Sequence, residues 1–318
     1  MFNWEKLGRV FNPLEVENRW WLKEFAQAPA TLIFDKFVRV YFSCRPERDA
    51  KGQYVSYTGF VDLNRKNLKE VVSISDEPIL QLGELGRFDE FGIYPTSVIR
   101  HEGEVIAYYG GWTRCESVPY NVAIGMAKSQ DGGVTFEKAG VGPVISYSID
   151  EPMTVSGPKI RRFNDKWYMW YVAGTKWKVV DGRPESIFKI RMAASLDGYK
   201  WEKLNLQLIE DKLETDECQA SPDVFYFDGK YHMYFSYKYS SDFRNTDRGY
   251  RIGYAYSENM IDWVRNDEMV VFSPSVGEDW DGQSMAYPHV FELDGKVYMM
   301  YLGNEVGRYG FGLAELVK

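Results

Sequence analysis

Five prolines recur through this chain at almost equal intervals. Pro29, Pro95, Pro158, Pro222 and Pro288 are separated by 66, 63, 64 and 66 residues. Each opens a similar stretch. In the fullest copy, Ser221 to Phe227 reads as a strand rich in apolar and aromatic residues, Asp228-Gly229 as a tight turn, and Lys230 to Ser236 as a second strand. The segment from Pro288 to Tyr301 turns at Asp294-Gly295, that from Pro158 to Tyr171 at Asn164-Asp165, and that from Pro95 to Tyr108 at Glu102-Gly103. The first copy, Pro29 to Tyr41, is the most degraded. A fixed period of self-similarity marks a repeat architecture.

Each unit continues past its hairpin. A third strand is read at Val122–Ser129, Ile190–Ser195 and Ile252–Ser257. A fourth begins at an aromatic, at Phe136, Trp201 and Trp263. Four strands per repeat without helical periodicity predict an all-β chain: a five-bladed β-propeller with four-stranded antiparallel blades. The last repeat stops after its third strand, at Leu316. Near the other end, Asn3-Trp4-Glu5-Lys6-Leu7 nearly repeats Lys200-Trp201-Glu202-Lys203-Leu204. The N-terminal segment is therefore expected to supply the outer strand of the last blade and close the ring. The repeat runs end to end, so one domain is expected over residues 1–318. Ser129-Gln130-Asp131 and Ser195-Leu196-Asp197 read as Asp boxes, turns in which Ser and Asp side chains bond the backbone.

Composition narrows the partners. With 38 basic and 46 acidic residues the net charge is −8. That argues against nucleic acid and against an anionic membrane surface, and no run reaches membrane-spanning length, so no membrane insertion is expected. The N-terminus lacks an apolar leader, and Cys44, Cys115 and Cys218 are scattered, with no metal-binding spacing. Both features suit a reducing, cytoplasmic setting. Aromatics make up 16% of the residues, enough to fill the space between blades and still line a sugar-binding cleft. Oligomeric state is not legible.

In a propeller, the start of each inner strand and the loop from second to third strand open on one rim, so polar residues there converge on a central pocket. Five residues before each proline stand Glu24, Glu90, Met153, Glu217 and Gln283, with Asp89, Asp150, Glu151, Asp216 and Asp281 nearby. Paired carboxylates facing one cavity are what glycosidic cleavage requires, one to protonate the leaving oxygen and one to activate water or attack. Glu217 is the first candidate acid, with Glu90, Glu24 or Glu151 opposite it. These acids could equally cap turns or pair with bases of the rim. The second rim set offers Arg45, Trp112, Arg114, Lys176, Trp177, Tyr237, Lys238 and Asn304, then Asp242, Arg244 and Arg308. Gln283, Tyr287, Asp223 and His289 complete the candidate substrate-binding residues. Arg45, Arg114, Lys176 and Lys238 could form a basic ring suited to an anionic sugar or a sugar phosphate, or could simply balance the carboxylates. His101 and His232 fall at or near hairpin turns.

The segment Glu217-Cys218 ahead of Pro222-Asp223 resembles the Glu-Cys-Pro-Asp element of glycoside hydrolase family 32. The whole repeat plan is similar to the five-bladed families 32, 43, 68, 117 and 130, and to the glycosidase-like propellers encoded with bacterial surface-polysaccharide genes. The resemblance implies a carbohydrate substrate and an acid/base role for Glu217. Two elements differ. Families 32 and 43 place an Asp beside the first-blade proline, where this chain has Phe25-Ala26-Gln27-Ala28-Pro29. The Arg-Asp-Pro element of family 32 is replaced by Gly92-Ile93-Tyr94-Pro95. No cofactor is implied beyond a channel cation near His289, as in some family 43 members. The expected activity is a glycosidase acting on a short oligosaccharide or sugar conjugate. The alternatives are a phosphorylase or glycosyltransferase with an anionic co-substrate, and a non-catalytic sugar-binding propeller.

Overall fold

A computed structural model describes residues 1–213, 216–241, 243, 248–277 and 279–317, apart from the side chains of Pro95 and Thr96. Asp242 and Arg244 lie outside the described residues. Five antiparallel sheets follow one another along the chain as the blades of a β-propeller. The inner strands are Glu24–Ile33, Gly92–His101, Val155–Phe163, Cys218–Phe227 and Ala286–Leu293, in blades I to V. Blades I to IV each add three strands in sequence order. Blade V takes its outer strand from Phe2–Phe11, which pairs antiparallel with Phe311–Val317 in the register Trp4 to Leu316. The expected ring closure is present. Val270–Val271 then adds a short parallel strand outside it.

The blades pack face to face through large side chains. Trp21, Tyr41, Tyr108, Trp170, Tyr171, Tyr234 and Tyr301 have essentially no exposed surface. Tyrosines also tie one blade to the turn of the next, as Tyr41 Oη donates to the Gly133 carbonyl (2.7 Å) and Tyr108 Oη to that of Gly198 (2.8 Å). Those carbonyls belong to the two Asp boxes. Asp131 Oδ1 accepts from the Val134 and Thr135 amides at 2.9 and 3.0 Å, and Asp197 Oδ1 from Tyr199 and Lys200 at 2.8 Å. Blade IV has a third turn of this kind built on Asn259, which accepts from the Ile261 and Asp262 amides at 2.9 Å.

One irregularity recurs in every blade and shapes the centre of the molecule. The pairing of each inner strand slips next to its anchor proline, between Gln27 and Ala30, Ile93 and Thr96, Ser156 and Lys159, Ala220 and Asp223, and Ala286 and His289. The residue before the proline is left-handed in four blades, with φ of 53° at Ala28, 62° at Gly157, 49° at Ser221 and 54° at Tyr287. A bulge of this kind bends the strand and re-aims its side chains. Here it turns the pre-proline residues toward the propeller axis.

Candidate functional site

Against the bulges, at the centre of the propeller, lies a cavity of about 10 Å3, room for a single water, lined by Ala28, Gly157, Pro158, Lys159, Ser221, Tyr287 and Pro288. The residues preceding the five prolines are Ala28, Tyr94, Gly157, Ser221 and Tyr287. None is a carboxylate.

Tyr287, which lines the cavity, belongs to a cluster of four tyrosines. Tyr94 Oη donates to Tyr287 Oη from blade II to blade V. Tyr120 stands edge-on to Trp177 (5.4 Å between ring centres), with its hydroxyl 3.3 Å from Ser186 Oγ. Tyr250 completes the set. Burial raises the pKa of all four phenols, so they stay neutral hydrogen-bonding groups. Glu185, half-buried at the start of a blade III strand, adds to the upward shift of Tyr120 and Tyr250. On the blade I side, Glu24 begins its inner strand half-exposed. It accepts from Tyr54 Oη and Arg308 Nη2, both at 2.8 Å. Arg45 lies between, its guanidinium 4.2 Å from the Phe25 ring centre and 4.6 Å from that of Tyr54.

Beneath the cavity, charged residues span the channel. The residues one past the proline in blades III, IV and V are Lys159, Asp223 and His289, all buried. The Thr31 amide donates to His289 Nε2 at 3.0 Å, which leaves Nδ1 to carry the proton of the neutral ring and donate to Asp223 Oδ2 at 3.1 Å. Asp223 also pairs with Arg161 and accepts from the Val290 amide at 2.7 Å. Lys159 Nζ stands 2.9 Å from His289 Nδ1. Burial lowers the Lys159 pKa to about 8; burial and then the Lys159 charge lower that of His289 to about 4. Burial alone would raise the pKa of Asp223, but Arg161, Lys159 and His289 outweigh it and hold the carboxyl far below its usual range. A channel cation does not fit here. The Lys159 ammonium and the Arg161 guanidinium already bring positive charge to His289 and Asp223, and the described residues contain no cluster of three or more metal-ligating groups.

The four candidate catalytic carboxylates do not share one place. Glu217 has no exposed surface. It pairs with Arg265 at 2.6 Å and accepts from the Lys212 and Leu213 amides at 3.0 Å. Glu151, equally buried, meets Lys203 at 2.8 Å and the Tyr171 hydroxyl at 2.8 Å. Asp89 with Lys138 and Tyr109, and Asp281 with Lys6 and Tyr301, repeat that arrangement. Each base stands two residues after the aromatic that opens its outer strand: Phe136, Trp201, Trp263 and Trp4. The bases thus share a register, while Asp89, Glu151, Glu217 and Asp281 stand six, seven, five and seven residues before their prolines, and each of the four blades closes an ion pair inside itself. Glu90 accepts from the Gly86 amide at 2.8 Å and shapes its own loop. Of the four, Glu24 alone stands beside Tyr54 and Arg45.

The basic residues divide in the same way. Arg114 is paired with Asp49 at 2.8 Å and Lys176 with Asp216 at 2.6 Å. The Lys238 ammonium packs 3.1 Å from the Phe243 ring centre. Trp112 donates to Ser56 Oγ at 2.7 Å between blades I and II. Tyr237 covers Arg265, 4.5 Å from its guanidinium. Exposed Gln283 donates its amide to Asn304 Oδ1 at 2.8 Å, which braces a loop. Tyr54, Tyr94, Tyr120, Glu185, Ser186 and Tyr250 escaped the sequence reading, as did Lys159 in the channel. For Tyr94 a signal existed, since it precedes its proline as Tyr287 does. Lys159 likewise occupies the repeat position of Asp223 and His289.

No protein-family profile matches the chain. Two proteins from strains of Mycobacterium tuberculosis, Uncharacterized protein MT1551 and Uncharacterized protein Rv1502, are each 32% identical over 317 residues, covering 98% of this chain and 99% of the relative. Among solved structures, a protein described as a glycoside hydrolase superposes with a TM-score of 0.75 at 14% identity, over 98% of this chain and 92% of its own. A putative glycosidase from Bacteroides thetaiotaomicron gives 0.69 at 14%, over 98% and 96%. A protein from work on the GH130 family of mannoside phosphorylases, which contains glycoside hydrolases that target β-1,2 mannosidic linkages in Candida mannan, gives 0.70 at 15%, over 98% and 93%. At these identities the likeness establishes the fold, the five-bladed propeller of such glycosidases.

Proposed function

This chain belongs to one family with the two uncharacterized mycobacterial proteins, and from its propeller fold and central tyrosine cluster we propose that it is a carbohydrate-active enzyme that takes a glycosyl group at the centre of the propeller. The observation that carries this reading is the cluster of four neutral phenols that reaches the axial cavity through Tyr287, with the half-buried Glu24 and Glu185 in its surroundings. Tyrosine rings and hydroxyls suit the mixed apolar and polar faces of a pyranose. Glu24 on blade I and Glu185 on blade III come from non-adjacent blades. They are the pair we assign to the acid and base of glycosyl transfer to water, one protonating the departing oxygen while the other activates the incoming one. The Tyr54 and Arg308 contacts fix the Glu24 carboxylate in place.

The bare cavity lining, with Ala28, Gly157 and Ser221 at pre-proline positions, favours a second reading, a sugar-binding propeller without catalysis. One experiment separates the two. Wild type, Glu24→Gln and Glu185→Gln are incubated with a panel of aryl glycosides, and both turnover and binding are recorded. The enzyme reading expects wild-type turnover that falls by about 100-fold or more in each variant, with binding kept. Binding without turnover in the wild type selects the second reading. Turnover unchanged in both variants sinks the acid/base assignment.

A further inference from the structure

Arg45 is a guanidinium near the central tyrosine cluster without a matching anion among the described residues. It ends the strand Phe37–Arg45, packed over Phe25 and Tyr54, and burial lowers its pKa from the ordinary value. Among the described residues its guanidinium makes one hydrogen bond, a long contact to Gln27 Oε1 at 3.5 Å, and no ion pair. Its basic neighbours are matched. Arg308 is held by Glu24 at 2.8 Å and Glu305 at 3.0 Å, and Arg114 by Asp49 at 2.8 Å. Glu24 also acts on Arg45 through space, but its two oxygens are engaged by Tyr54 and Arg308. A half-buried guanidinium with five donors and so few acceptors is costly unless something completes it.

The packing says what would complete it. Aromatic rings lie against the guanidinium, and its N–H groups radiate in its own plane, so recognition is left to its edge. That edge matches the paired oxygens of an oxyanion. Tyr94 and Tyr287, whose hydroxyls bond each other, both act on Arg45 through space, as Tyr54 does. We propose that Arg45, with the Tyr94 and Tyr287 hydroxyls, is a subsite for an oxyanion carried by the ligand: the carboxylate of an acidic sugar or a phosphate on a sugar. The oxyanion part stands on Arg45 alone, and the sugar part rests on the function proposed above.

The test is calorimetric titration of the full chain and of Arg45→Met and Arg45→Lys with methyl glucoside, methyl glucuronide, glucose 6-phosphate and inorganic phosphate. The wild type is expected to bind at least one anionic compound about tenfold or more tighter than methyl glucoside. Arg45→Met should lose that preference while keeping its binding of methyl glucoside. Arg45→Lys, which keeps the charge without the planar fork, should weaken anion binding in a protein that folds even if Arg45→Met does not. Glucuronide or sugar phosphate as the tighter ligand tells which oxyanion is meant. Phosphate binding that depends on Arg45, with no sugar bound, keeps the subsite and removes the carbohydrate reading. Equal binding of acidic and neutral sugars, a preference unchanged in both variants, or no binding of any anion overturns the proposal.

Discussion

Glu217, Glu151, Asp89 and Asp281 each face a base from the outer strand of their own blade, and the pairing sets the cost of losing any one of them. Removing one partner of a buried ion pair leaves the other charge dry, a penalty of about 3–5 kcal/mol. Glu217→Gln is therefore expected to lower the free energy of unfolding by about 3 kcal/mol, because Arg265 loses its buried counter-charge and the Lys212 and Leu213 amides lose a charged acceptor. Sugar binding should persist in the folded fraction. Urea denaturation read beside a binding titration checks both halves. Unchanged stability with lost turnover would return Glu217 to the role of acid. The residue-scale signal in the sequence was real but ambiguous. Carboxylates that keep register with a repeat can serve a shared pocket or a shared blade, and the partner bases sat in view at Lys138, Lys203, Arg265 and Lys6. What the sequence lacked was direction, since a shift of a single residue along a strand reverses the face on which a side chain lies.

The inner strand is the element on which site and channel both depend. Its hairpin was legible from the Asp-Gly turns and alternating aromatics, and its bulge was not, because the slip in pairing follows from left-handed φ at residues as ordinary as Ala28 and Ser221. The bulge falls at the pre-proline residue, two positions before Lys159, Asp223 and His289, so one irregularity sets both the cavity lining and the place of the Lys159–Asp223–His289 network. That network carries a pH signature. The His289 pKa is about 4 folded against 6.5 in its unperturbed form, so the unfolded chain binds more protons between those values. Stability should fall as pH drops through that window, by up to about 3 kcal/mol from this residue, and be insensitive to it above pH 7. Chemical denaturation at pH 7, 5.5 and 4.5, in wild type and His289→Gln, is expected to show a shallower decline in the variant over that range. Equal slopes would place the pH sensitivity elsewhere.

Across the whole molecule, the five-proline period and the echo of Trp4-Glu5-Lys6 in Trp201-Glu202-Lys203 made the ring and its closure readable. The echo extends to chemistry, because Asp281 takes Lys6 and the Tyr301 hydroxyl as Glu151 takes Lys203 and the Tyr171 hydroxyl. The Trp4 indole also reaches the Tyr234 hydroxyl of blade IV at 3.3 Å. Deleting residues 1–11 should uncover the edge of Phe311–Val317 and remove a base from a buried pair. Such a protein is expected to aggregate or to unfold several degrees lower, as seen by size-exclusion chromatography and thermal circular dichroism. A monomer as heat-stable as the full chain would mean that closure contributes little.

The pairing of residues 2–11 with residues 311–317 also imposes an order on synthesis. The strand that leaves the ribosome early finds its partner only after about 300 further residues have been translated, at about 5–20 residues per second. For that interval, on the order of 15 to 60 seconds, Phe2, Trp4, Val10 and Phe11 have no blade to join. A translating cell holds this chain with an adhesive end exposed until its last strand arrives. Until then the growing polypeptide carries an unpaired, apolar strand of the kind that makes folding intermediates prone to aggregate.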